Sequence, residues 1–178
     1  MPRFSAALVF AAAVAACSSP PVPSAAPPAR AAGIAGPLLA VHHRERAAFG
    51  SPRLVWDPAL AGAANAYARQ LARLCRLQHS PRPARPGQGE NLWIGTRGVY
   101  PLEAMAGAWA SERRHFRPGR FLATSRTGNW ADTGHYTQMI WPATRRLGCG
   151  LASSARWDVL VCRYSPPGNV DGAMLGRD

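Results

Sequence analysis

The sequence predicts an α+β domain, a sheet covered by helices. Two observations carry the helices: an Ala-rich stretch behind Asp57-Pro58 with apolar residues at helical spacing, and a second apolar stripe behind Pro101. A third carries the sheet: two runs rich in β-branched and aromatic residues near the C-terminus, parted by a turn. The chain has 178 residues, 47% of them hydrophobic, with six Trp, enough for one domain with a packed core. There are no internal repeats.

Leu38 to Phe49 reads as the first helix, opening after Pro37 and closing at Gly50. Leu54-Val55-Trp56 is a short strand candidate. Asp57 then supplies an N-cap and Pro58 the first helical position. Behind them Leu60, Ala64, Tyr67, Leu71 and Leu74 share one helical face. Ser80 to Gly89, with three Pro and two Gly, is a loop. The third helix starts near Pro101, with Leu102, Met105, Trp109, Glu112 and Phe116 on one face. That places the Glu112 carboxylate on a buried stripe, where it needs a partner. Residues 117 to 132 are turn-rich, and 145 to 153 with 157 to 164 form a hairpin.

The first sixteen residues read as an export signal: Arg3 as the positive start, then Phe4 to Val14 as the apolar segment. Val14-Ala15-Ala16-Cys17 resembles the lipobox of bacterial lipoproteins, in which Cys17 would be acylated. Plain secretion after an Ala is the alternative. Residues 17 to 33 form a Pro/Ala-rich tether expected to be disordered, and sixteen such residues span roughly 50 Å when extended. The domain proper is expected over 34 to 178. An exported chain permits disulfides. Cys149 and Cys162 flank the turn at Ser153-Ser154 and could face each other across the hairpin, a bridge worth on the order of 3 kcal/mol by loop entropy. Cys75, in an apolar helical stretch, reads as a buried thiol.

No run reaches the roughly 18 apolar residues a spanning helix needs. The net charge is +12, and every one of the 21 basic residues is Arg. Acidic envelope material or anionic lipid suits such a surface. Nucleic acid is not an expected partner, since the Arg residues are scattered and no binding motif accompanies them. A monomer is expected.

Four segments stand out together: Leu77-Gln78-His79-Ser80, Gly89-Glu90-Asn91-Leu92-Trp93, Trp109-Ala110-Ser111-Glu112, and Gly134-His135-Tyr136-Thr137-Gln138-Met139-Ile140-Trp141. A fifth, Cys162-Arg163-Tyr164-Ser165-Pro166-Pro167-Gly168-Asn169, closes the set. Singly, each candidate has a plainer reading. His79 could be a loop histidine, Glu90 the opening of a short helix, Glu112 a core carboxylate paired to Arg, and His135 a cap on Thr133-Gly134. In this order and spacing the segments resemble the CAP superfamily: cysteine-rich secretory proteins, insect-venom antigens, plant pathogenesis-related type 1 proteins and bacterial relatives, which share the SCP domain. The resemblance covers roughly residues 35 to 172. Val41 to Arg46 is similar to the family's first-helix motif, with His43 where Asn is usual.

The resemblance implies an α-β-α sandwich with a central cleft holding a tetrad of His79, Glu90, Glu112 and His135. It also implies that His79 and His135 can hold one divalent metal, zinc foremost, with the carboxylates beside them. Neutral imidazoles suit zinc, and a nearby Glu can orient a ring N–H. Tyr136, Gln138 and Asn169 are expected as hydrogen-bonding support near the cleft, with Trp93 and Tyr136 as groove-lining candidates. His42 and His43, adjacent on a helix, are expected to be structural, and His115 beside two Arg to be solvated. The family often pairs the equivalent of Cys75 with a cysteine near position 154, but this chain has Ser154.

Three functions follow as expectations. The first is an envelope-tethered binding module for a lipid, sterol-like molecule or wall component. The second is a metal-dependent hydrolase or peptidase using Glu90 or Glu112 as general base. Covalent catalysis is not expected, since no Ser or Cys nucleophile sits beside a base in a recognisable motif. The third is a structural or interaction protein in which the tetrad only stabilises the cleft.

Overall fold

A computed structural model of the chain describes residues 33–176. The export signal, Cys17 and the tether up to residue 32 lie outside the described residues.

Helix α1 (Ala35–Phe49) starts three residues before the expected Leu38. Pro37 falls in its first turn, where a missing N–H breaks no bond. Gly50 ends it at φ 86, a left-handed conformation that glycine takes without strain. Strand β1 (Val55–Trp56) follows, then α2 (Pro58–Leu74). The Asp57 carboxylate accepts from the Ala59 and Leu60 amides at 2.9 and 3.0 Å, the cap read from the sequence. Leu60, Ala64, Ala68 and Leu71 face inward. Leu74, expected on that stripe, is the last residue of α2 and is 53% exposed.

Gly89–Thr96 forms strand β2, not a helix opened by Glu90. The segment pairs along its whole length with β5 (Trp157–Ser165), which in turn pairs with β4 (Arg146–Ser153). Helix α3 (Leu102–Ala110) gives way to a 3₁₀ turn at Ser111–His115. The tighter winding rotates Glu112 and Phe116 off the stripe. Met105 and Trp109 are buried, while Glu112 and Phe116 are only half-buried. After β3 (Gly119–Arg120), residues 134 to 140, to which the sequence assigned no element, form the short helix α4 (Gly134–Ile140). Strand β6 (Met174–Leu175) pairs with β3 in a separate two-stranded ribbon.

The main sheet runs β1-β4-β5-β2, antiparallel except for β1 with β4. One face takes α2 through Ala64, Ala68 and Leu71 on Leu92, Val159 and Val161. Approach is close because a Cβ at Gly148 or Gly150 would collide with the α2 backbone at Ala61 and Asn65. The other face packs Leu147, Leu160 and Tyr164 against α1, α3 and α4. Two helical layers thus enclose one sheet, the α+β sandwich expected. Cys149 and Cys162 are directly opposed, Cα to Cα 4.1 Å, and form the expected disulfide. Cys75 is disulfide-bonded rather than the free thiol expected of it.

His42 and His43 are structural, as expected. His43 Nε2 donates to the Leu54 carbonyl at 3.0 Å. His42 is fully buried; its Nδ1 donates to the Leu38 carbonyl at 2.7 Å and its Nε2 accepts from the Tyr164 hydroxyl at 2.9 Å. This pattern requires the neutral ring. Burial, opposed by the Leu38 bond and aided by Arg46, lowers its pKa to about 4. Since an unfolded His titrates near 6.5, protons favour the unfolded chain between those values. The contribution is therefore complete above pH 6.5 and is lost as pH falls toward 4, by about 3 kcal/mol in all. Urea unfolding between pH 4 and 7 should show this slope, and His42→Gln should flatten it.

Candidate functional site

Two carboxylate–histidine pairs sit at one end of the sheet, built on different layers. Glu90 is the second residue of β2, its side chain fully shielded from solvent. His79, in the loop leaving α2, donates through Nδ1 to Glu90 Oε1 at 2.8 Å. The Ser80 amide reaches Oε1 at 3.0 Å and the Ser80 hydroxyl reaches Oε2 at 3.0 Å. Arg163 of β5, buried and lying over the Tyr67 ring, places Nη2 3.1 Å from Oε2. Burial alone would raise the Glu90 pKa. The His79 bond, the Arg163 charge and the two Ser80 bonds outweigh it and hold the carboxyl below its ordinary range.

The second pair is Glu112 and His135. Glu112 Oε1 accepts from His135 Nδ1 at 2.6 Å. Its Oε2 accepts the His135 and Tyr136 amides at 2.9 and 3.1 Å, so the same carboxylate caps α4. The Trp109 indole stacks on the His135 ring, centroids 6.2 Å apart and planes 16° apart, and donates to the Leu92 carbonyl at 3.0 Å. Asn91 ties the layers together, its amide nitrogen reaching the His135 carbonyl and the Tyr164 hydroxyl at 3.1 Å each.

Between the pairs opens a groove of about 920 Å³. His79, Glu90 and His135 line it; Glu112 stands behind His135. With both Nδ1 atoms held by carboxylates, Nε2 is the ring atom each histidine offers to the groove. Gln138 and Asn169 support the wall as expected. Gln138 Oε1 accepts the Gly168 amide at 2.9 Å, and Asn169 bridges Thr137 and the Gly134 carbonyl, both at 2.8 Å. Tyr136 does not line the groove. Its ring is buried against Phe116, 5.4 Å away, because the α4 turn points it into the core. Trp93 is likewise on the core side, packed edge-on to Tyr100. The apolar wall comes instead from Phe121, Leu122, Trp130 and Val170. Sequence reasoning passed over them as turn residues, though four apolar side chains inside Gly/Pro-rich segments were the available signal. It also passed over Arg82 and Arg85, which line the same groove. His115 is half-buried rather than solvated and accepts from Arg114 Nε at 2.9 Å.

A metal at this site would draw on a limited donor set. Among the described residues no three or more His, Cys, Asp or Glu converge on a common point. The two imidazoles fit as neutral nitrogen donors, since a carboxylate on each Nδ1 is the support that metal-bound histidines commonly receive. The protein would then supply two ligands, with water or ligand atoms completing the shell.

A family model described as CAP, the cysteine-rich secretory protein family, matches residues 39–164. The chain belongs to the CAP family. Among CAP proteins it is 39% identical over 135 residues to pathogenesis-related leaf protein 4 of Solanum lycopersicum, covering 75% of this chain and 78% of that one. It is 35% identical over 132 residues to pathogenesis-related protein 1 of Arabidopsis thaliana, covering 74% and 75%. It is thus a CAP protein of the pathogenesis-related type 1 kind. The fold is shared with the crystal structure of NaASP2 with Zn2+, at a TM-score of 0.68 and 24% identity over 80% of this chain and 84% of that one. BmVAL-1 matches at a TM-score of 0.58 and 27% identity over 70% and 64%. A secretory family and an internal disulfide agree with export from the cell.

Glu112 has two acceptor oxygens and three donors upon them, so its removal should cost more than one hydrogen bond. Glu112→Ala is expected to lower stability by about 2 kcal/mol. Glu112→Gln, with one acceptor left, should lose roughly half as much. Chemical unfolding of the three proteins, with nitrogen NMR of the His135 ring, checks both the cap and the ring's proton position.

Proposed function

We propose that this CAP protein is an exported binding module that holds an amphipathic envelope ligand, a lipid foremost, in the groove between the two carboxylate–histidine pairs. The observation that carries this reading is the two-sided wall. Phe121, Leu122, Trp130 and Val170 offer apolar contact, while Arg82 and, beside Glu90, Arg85 bring positive charge and the Nε2 atoms of His79 and His135 offer lone pairs on the same groove. A lipid with an acidic head group matches both sides.

Both carboxylates are taken up by donors from the protein. Glu90 accepts from His79, Ser80 and Arg163, and Glu112 from His135 and Tyr136. A general base needs a lone pair aimed at the proton it removes. This favours holding a ligand over a metal-dependent hydrolysis. In the same reading one divalent cation is held through the Nε2 atoms of His79 and His135, by analogy with NaASP2, whose crystal structure is one with Zn2+. A bound cation would add positive charge for an anionic head group. The protein acts as a monomer, exported by cleavage after an Ala.

The test is uptake of a fluorescent long-chain fatty acid by the full chain, with and without zinc. Trp130→Ala and Phe121→Ala should each weaken uptake roughly tenfold, about 1.4 kcal/mol. His79→Ala with His135→Ala should abolish zinc binding measured by metal analysis. Uptake no higher than that of an unrelated basic protein would remove the proposal.

A further inference from the structure

The chain exposes large apolar side chains at nine places among the described residues, and four of them fall on one rim. Leu122 is 45% exposed, Trp130 45%, Val170 49% and Met174 41%. The first three form the lip of the groove. Met174 lies beside them on the β3–β6 ribbon, opposite Arg120. Trp130 packs against Phe121, ring centroids 5.7 Å apart, and over Gly134, yet stays 45% exposed. Leu122 is held at φ 78, a left-handed conformation disfavoured for a branched side chain, and the strained leucine ends in solvent.

The rim carries a definite charge pattern. Arg117, Arg120 and Arg126 are exposed, each braced through its guanidinium on a backbone carbonyl: Ala123, Gly172 and Phe116 respectively. Of the two nearby acids, Asp132 is taken up by Thr127 at 2.6 Å and Asn129 at 3.3 Å, while Asp171 is exposed. Three cations against two acids, within a chain of net charge +12, leave the rim positive. Apolar tips that include a Trp, ringed by Arg, match the boundary between head groups and acyl chains of an anionic bilayer. A protein partner would call for a larger continuous apolar area than four isolated tips provide.

We propose that this rim is a bilayer-docking surface: Leu122, Trp130, Val170 and Met174 enter the interface of an anionic membrane while Arg117, Arg120 and Arg126 engage its head groups. The groove mouth then opens directly onto the lipid surface, so a ligand passes between bilayer and groove without crossing water. That last step rests on the lipid-binding reading above; the docking surface itself does not.

The experiment is co-sedimentation of the full chain with vesicles of phosphatidylcholine alone and of phosphatidylcholine with phosphatidylglycerol at three to one. The purified chain is checked by mass spectrometry to carry no acyl group, so that acylation contributes nothing. The parent should bind the anionic vesicles at least roughly tenfold better than the neutral ones, and high salt should erase the difference. Leu122→Asp and Met174→Asp, both at exposed positions, should each reduce binding at least roughly fivefold at an unchanged melting temperature. Brominated lipid should quench the parent's fluorescence more than that of Trp130→Phe. Equal vesicle binding by parent and both Asp variants overturns the proposal, and so does binding indifferent to lipid charge. Saturable capture of a soluble protein through this rim in place of vesicles overturns it as well. Met174 and Arg120 lie outside the groove, so the two readings separate. Fatty-acid uptake without vesicle binding removes the docking surface alone, while vesicle binding without uptake leaves docking intact and removes the lipid-carrying groove.

Discussion

Helix α4 is seven residues long, far too short to persist on its own, yet it carries His135. The site depends on how its two ends are held. At the N-terminus the Glu112 carboxylate takes the His135 and Tyr136 amides. At the C-terminus Arg46, fully buried on α1, donates to the Met139 and Trp141 carbonyls at 2.9 Å each. The same guanidinium reaches the Thr144 and Pro52 carbonyls. An anion at the start of a helix and a cation at its end both complement the helix dipole. Burial lowers the Arg46 pKa only to about 10, so the cation persists at neutral pH. With carbonyls as its partners, Arg46 fixes the exit of α4 against α1, and Glu112 fixes its entry against α3.

The same device governs the other wall. Glu90 does for the His79 loop what Glu112 does for α4: one carboxylate orients an imidazole and gathers backbone amides from the same segment. In both pairs the acid is taken up by donors of the protein, and the imidazole turns its Nε2 to the groove. Carboxylates saturated in this way have lost the freedom that proton transfer requires, and they have gained rigidity in what they present. Two imidazoles are thereby held fixed on opposite sides of the groove. The layers themselves are brought together by Gly148 and Gly150, whose lack of side chains lets α2 press onto the sheet.

Local signals explain which parts could be read from the chain alone. Asp57-Pro58 announces α2 because cap and first turn are adjacent residues, and the Cys149–Cys162 pair follows from hairpin register around one turn. Strand β2 was hidden because Gly89-Glu90-Asn91 has low strand propensity; its pairing comes entirely from β5, some seventy residues away. The pinning of α4 was hidden for the same reason, since Arg46 and Glu112 are remote in sequence from the ends they hold. Helical periodicity misplaced Glu112, because continuing a 3.6-residue stripe through Ser111–His115 ignores the change to 3₁₀ winding. The tetrad residues were legible only through motifs spread over four segments, never from the spacing of any one of them.

Where stability has been given up is as informative as where it has been gained. The sandwich satisfies its buried hydrogen-bonding groups with few exceptions, places glycine where two layers touch, and neutralises its buried histidine. Against that background Leu122 spends backbone strain to leave an apolar side chain in water, and Trp130 and Val170 share its exposure. All three line the groove, so its wall carries apolar surface that the core does not use. The scaffold holds two imidazoles fixed at one end of a groove whose wall is apolar and bordered by Arg82 and Arg85, and that contrast between rigid polar groups and apolar wall is what the lipid-binding proposal rests on.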